Sequence, residues 1–234
     1  MSAILFIVSA PSGSGKSTLV NEVRKSVPNL DFSISYTTRQ PRGSEQNGRE
    51  YYFVSRQEFE RMIAQEEFLE HAEVFGNYYG TARRFLREAG TRDHDLLLDI
   101  DVQGAAQVKL RVPDAVSIFI LPPSKIELEK RLHRRSQAEG NVQEDVIQRR
   151  LKTATHEIEN YPKYDYILVN DRLEESIDQL EAILLSERAA RRGESPADLE
   201  QMRSQAEACR TANAHARLKP ILDSFQLTAS PRGL

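Results

Sequence analysis

The chain has 234 residues, 39% of them hydrophobic and 29% charged, with a formal net charge of −3. That composition allows a sizeable buried core, excludes a disordered chain, and excludes the global basic field that recruits nucleic acid. The single cysteine, Cys209, excludes an intrachain disulfide and a cysteine-based zinc site, and no apolar run approaches the roughly 20 residues that span a bilayer; a cytoplasmic protein with no membrane partner is expected.

Ile4 to Val8 is continuously apolar, as strands buried on both faces are. No positive segment precedes it, so it reads as a strand and not a signal peptide. Ala10-Pro11-Ser12-Gly13-Ser14-Gly15-Lys16-Ser17-Thr18 follows, leading into a helical pattern from Ser17 to Val27. Strand, glycine-rich turn, helix is the context that marks a phosphate loop. Gly13 and Gly15 let successive backbone N–H groups turn inward as an anion nest, and the helix N-terminus adds positive potential. Lys16 would reach the β- and γ-phosphates of ATP, and the Ser17 hydroxyl would serve Mg²⁺. Ala10 stands where the usual pattern has glycine.

Residues 32–82 are too long for a simple crossover and are rich in Tyr, Arg, Thr and Gly; short strands around a helix from Gln57 to Gln65 are predicted, as a small inserted subdomain. Within it Arg39 and Arg42 lie three residues apart on a Pro-stiffened segment, a spacing at which two guanidinium forks clamp a phosphate monoester. Leu96 to Ile100 is the second central strand. It ends at the carboxyl edge where α/β sheets bind ligands, with Asp99 as the candidate for holding Mg²⁺ through water and Asp101 facing the acceptor or capping the next helix.

Helical patterns over 102–111, 124–138 and 173–192 alternate with strands at 116–121 and 166–169, which predicts a doubly wound parallel α/β sheet. Between the helices flanking Gly140-Asn141, residues of about 134–148 read as a lid, with Arg131, Arg135, Arg149 and Arg150 around it; Arg134 and Arg149 are expected to be solvated partners of Glu129, Glu144 or Asp145. Asn170-Asp171 follows the fourth strand. The five histidines show no metal spacing. Beyond Arg192 an Ala/Glu/Arg/Gln-rich helical extension (193–234) carries Leu199, Met202 and Ala206 at helical spacing. It could pack on the body, lie across a homo-oligomer or be a frayed solvated helix, and it ends in a tail over 228–234.

Gly48-Arg49-Glu50-Tyr51-Tyr52-Phe53, Phe68-Leu69-Glu70 and Gly76-Asn77-Tyr78-Tyr79-Gly80-Thr81, taken with the phosphate loop, resemble bacterial-type guanylate kinase from about Ile4 to Arg188. The resemblance implies a P-loop NTPase-type fold, core 1–31 and 83–192 around the 32–82 insert. It implies a reaction in which the terminal phosphoryl of Mg-ATP passes to GMP. Ser35, Arg39, Arg42, Tyr51 and Tyr79 would hold the GMP phosphate; Glu70, Thr81 and Asp101 would read guanine. Arg131, Arg135 and Arg150 would join Lys16, Arg39 and Arg42 in compensating transferred charge, and Asn170 would lie beside adenine. Thr81 keeps the hydroxyl where many members have Ser, and Ser136 replaces a usual glycine in a longer lid. A kinase for another phosphorylated acceptor would lack the Tyr51, Glu70, Tyr79 and Thr81 set. A non-catalytic binding module of the same fold would tend to lose Gly15, Lys16 and Ser17.

Overall fold

The computed structural model describes residues 3–74, 76–138, 143–193 and 200–227. Strand β1 (Leu5–Ser9) is buried along its whole length, as its unbroken apolar run requires. It is the middle strand of a five-stranded sheet whose order is β2 (Leu30–Phe32), β7 (Asp95–Asp99), β1, β8 (Val116–Leu121), β9 (Tyr166–Val169). The pairs β2–β7 and β8–β9 are parallel. This is the α/β architecture that the alternating pattern predicts, with one strand more: β2 has three half-buried residues and gives no apolar run to detect.

The chain divides into two compact units, Met1–Ile7 with Asn29–Val116, and Val8–Pro28 with Ser117–Leu234. The first holds a second, four-stranded sheet in the order β4 (Tyr52–Phe53), β3 (Tyr36–Thr37), β6 (Asn77–Ala82), β5 (Phe68–Val74). Helix α2 (Arg56–Ala64) starts at Ser55, whose Oγ accepts from the Glu58 N–H at 3.1 Å. It drops Phe59 and Met62 onto Tyr36, Phe68 and Ala82 to make this sheet's own small core. Phe59 and Phe68 stack at 4.4 Å between centroids. Helix α3 (Arg84–Thr91) is short and turns one face inward, with Ala89 buried and Phe85 and Leu86 half-buried. Helix α4 (Val102–Arg111) packs on β5.

In the second unit α1 (Lys16–Ser26) opens directly from the glycine-rich turn. Helices α5 (Lys125–Ala138) and α6 (Glu144–Ile158) pack together, so Arg134–Ala138 still belong to α5 and Glu144 already begins α6. Residues 139–142 of the expected lid lie outside the described residues. Helix α7 (Leu173–Arg192) ends at Gly193, which takes the left-handed conformation (φ 67°) that stops helices.

The extension forms α8 (Glu200–Cys209) and α9 (His215–Ser224). It seats on its own chain, where α8 packs on α7, Arg210 bridges antiparallel to Tyr166, and the Thr211 hydroxyl donates to the Tyr164 carbonyl at 2.6 Å. The extension thus covers the exposed edge of β9, a place where bare strands invite aggregation. Among the described residues no helix is long and apolar enough to cross a membrane.

Candidate active site

The glycine-rich turn in the second unit wraps one side of a cavity of about 490 Å³, lined by Ala10 to Thr18 with Arg131, Arg135 and Glu157. Gly13 and Gly15 both have positive φ (91° and 86°). These angles aim the backbone N–H groups inward and are strained for any side chain. Space is equally short: a Cβ on Gly15 would lie 2.3 Å from Asn170 Nδ2, and one on Gly13 3.0 Å from Leu128 Cδ1. Asn170 Nδ2 donates to the Ser14 carbonyl at 2.7 Å, and Arg131 Nη2 donates to the Asn170 carbonyl at 3.1 Å. Arg131 is itself held by Glu127 at 3.2 Å. Asn170, in the loop after β9, and Arg131 therefore brace the turn. Asn170, expected beside adenine, is buried and engaged with the turn. Arg150 lies on α6, half-buried, and does not line this cavity.

The first unit gathers a second cationic cradle. Arg39 lays its fork on Glu45, Nη1 to Oε2 and Nη2 to Oε1, both at 2.9 Å. That pairing holds the Glu45 carboxyl below its ordinary range and raises the guanidinium further. The Arg39 guanidinium lies 5.3 Å from the Tyr51 ring centroid, and the Tyr51 and Tyr79 rings meet edge to face at 6.0 Å. Burial pushes the Tyr51 hydroxyl up, which keeps it a neutral donor. The Arg42 backbone N–H donates to Glu45 at 2.7 Å while its side chain stays exposed. Ser35 fixes β4 by accepting the Tyr52 N–H at 2.9 Å. Glu45 is a site residue that the sequence did not reveal, since a lone glutamate in a polar loop carries no signal.

Glu70 and Thr81 face each other in the β5–β6 register, just after an irregularity between Phe68 and Glu70. The Thr81 hydroxyl donates to Glu70 Oε1 at 2.6 Å. Glu70 is only 6% exposed and Thr81 fully buried. Desolvation, with Asp101 nearby and the Thr81 and Arg111 contacts opposing it only in part, pushes the Glu70 carboxyl up to about 7. Asp101 caps α4, its Oδ1 accepting the Gly104 N–H at 2.8 Å. Gly104 makes room for the carboxylate: a Cβ would lie 2.9 Å from Glu70 Oε2, so Glu70 would have to shift. Gln107 grips the His71 backbone, donating to its carbonyl at 2.9 Å and accepting its N–H at 3.3 Å, and Arg111 reaches the Leu69 carbonyl. Gly104, Gln107 and Arg111 recur at helical spacing on one face of α4. That periodicity was readable, but nothing in it says that the face grips the strand carrying Glu70. Asp99 closes β7, half-buried.

A family model described as guanylate kinase matches residues 2–187. The chain is 59% identical to a guanylate kinase of Koribacter versatilis over 99% of its own length and all of the relative's. It is 49% identical to one from Escherichia coli K12 over 79% of this chain and 88% of that one. A crystal structure of guanylate kinase from Anaplasma phagocytophilum superposes with a TM-score of 0.64 at 37% identity, covering 80% of this chain and 86% of the other. Helices α8 and α9 lie beyond the family match.

Proposed function

Because the chain belongs to the guanylate kinase family, we propose that it transfers the terminal phosphoryl group of ATP to GMP, giving ADP and GDP, by direct in-line displacement. The observation that carries this reading is the buried Glu70 carboxylate with Thr81 beside it. Guanine presents adjacent N1–H and N2–H₂ donors, and a carboxylate is their natural acceptor; adenine lacks that donor pair and leaves the buried carboxylate with only its Thr81 bond, which costs discrimination energy.

In this account the nest from Gly13 to Lys16 receives the β- and γ-phosphates, and Arg131 and Arg135 offset the charge that spreads over the moving group, joined by Arg150. Asn170 and the Ala10–Thr18 backbone hold the nucleotide end. Ser35, Arg39, Arg42, Tyr51 and Tyr79 hold the acceptor phosphate. Glu45 keeps the Arg39 fork extended until a phosphate takes its place. Asp101 assists Glu70 at the base. The Ser17 hydroxyl and the Asp99 carboxylate are the hard oxygen donors that suit Mg²⁺. When bound, the ion would supply positive charge to offset the charge that develops on the transferring phosphoryl group. Positioning supplies the rest, since no nucleophilic side chain is needed.

We assign the chemistry to 1–192, with 32–82 as the GMP-binding insert and about 134–148 as the lid, and read 193–234 as an extension that buttresses β9. A reducing cytoplasm suits the single, buried cysteine. Phosphorus NMR of ATP, GMP and Mg²⁺ with the protein tests the reading. Equal growth of ADP and GDP signals is expected; inorganic phosphate without GDP would refute it.

A further inference from the structure

We infer that Glu129, His133 and Glu144, completed by Gln148, form a binding site for a transition-metal dication of the zinc class, which ties α5 to α6. Glu129 and His133 are four residues apart on α5, so they stand one above the other on one helix face. Glu144 and Gln148 repeat that spacing on α6. The two pairs face each other. One ligand atom from each of Glu129, His133 and Glu144 lies within 4.8 Å of the other two. His133 Nε2 is 3.8 Å from Glu144 Oε2. Gln148 Nε2 donates to both carboxylates, to Glu129 at 3.2 Å and Glu144 at 2.8 Å. Arg149 pairs with Asp145, one of the solvated partners expected for it, and so leaves Glu129 and Glu144 to Gln148 and His133.

The donor set is one imidazole nitrogen, two carboxylates and an amide whose carbonyl is brought inward by a flip. Nitrogen with oxygen donors favours zinc, cobalt or nickel over Mg²⁺, and two carboxylates match a dication's charge. Ligands on a tetrahedral zinc stand on the order of 3.4 Å apart, given bonds of about 2.0–2.2 Å. The three ligand atoms, within 4.8 Å of one another, would close to that spacing around the ion. The sequence hid the site because its histidine and third ligand sit on different helices. Its consequence is local: the same two helices carry Arg131, Arg135 and Arg150, so a bound ion fixes their spacing.

The test is equilibrium dialysis of the full-length, nucleotide-free protein against Zn²⁺ in excess Mg²⁺, read by elemental analysis, with the visible spectrum of the Co²⁺-loaded protein as a second readout. One equivalent is expected, and His133→Ala and Glu129→Gln should each weaken it by more than the roughly 10–100-fold that outer-shell changes cost. His156→Ala, at the separate His156–Glu159 pair (3.6 Å), should leave binding intact. Unchanged Mg-ATP turnover by His133→Ala shows that the variant folds. Sub-stoichiometric uptake by the wild type, or uptake that survives His133→Ala, overturns the proposal.

Discussion

Replacing Glu70 by Gln separates what this residue costs the fold from what it gives the function. Its carboxyl is displaced from 4.5 to about 7 by burial and by Asp101; at about 1.36 kcal/mol per pH unit, ionising it inside the protein costs about 3 kcal/mol. Between those two values the folded chain keeps a proton that the unfolded chain has released. Stability contributed at this site therefore falls as pH rises through the window and levels off above about 7. Gln keeps the shape without the charge and gives up about 1 kcal/mol of the charge-assisted bond from Thr81. The ligand-free variant should thus be more stable than wild type at pH 8 by about 2 kcal/mol, a Tm higher by roughly 4–8 °C, with the gap closing towards pH 5. Its kcat/KM for GMP should fall by on the order of 100-fold or more, because two guanine N–H donors lose their anionic acceptor. Thermal melts from pH 5 to 8 and steady-state kinetics at pH 8 measure both. A variant with a pH-independent loss of Tm and intact GMP kinetics would refute the reasoning.

Wild-type kcat/KM for GMP is expected to drop about tenfold per pH unit below about 7 as Glu70 takes up its proton, with no matching change in KM for ATP. Gly104→Ala sets a methyl 2.9 Å from Glu70 Oε2; KM for GMP should rise at least tenfold while ATP kinetics hold, and equal damage to both substrates would count against the assignment. Lys16→Ala should cut turnover by on the order of 10³-fold with an unchanged melting curve. Asn170→Ala removes the brace on the Ser14 carbonyl and should raise KM for ATP several-fold, checked by varying ATP at saturating GMP.

What could be read from the chain was local and periodic. Ile4 to Val8, the glycines that follow and the helix beyond them are neighbours in sequence, so strand, nest and helix could be placed together. The inserted sheet was legible as a region, through its length and tyrosines. Helix α3 is only eight residues long and is not picked out by the alternation of strands and helices, although Phe85 and Ala89 share a face; the extension was legible as helical, but not its division into α8 and α9. Two of the bracing contacts join residues far apart in sequence: Asn170 to Ser14 across 156 positions, Gln107 to His71 across 36. No short-range pattern encodes such pairs. Asp101 needed the structure for another reason: its cap bond to Gly104 uses one oxygen, so capping and standing beside Glu70 are compatible roles and not rivals.

The most direct test offers the protein Mg-ATP with GMP, AMP, CMP and UMP in turn and follows ADP release through a coupled assay. If the buried carboxylate of Glu70 selects the acceptor base, GMP is favoured by on the order of 10⁴-fold over AMP. ADP release with AMP and none with GMP would contradict the account.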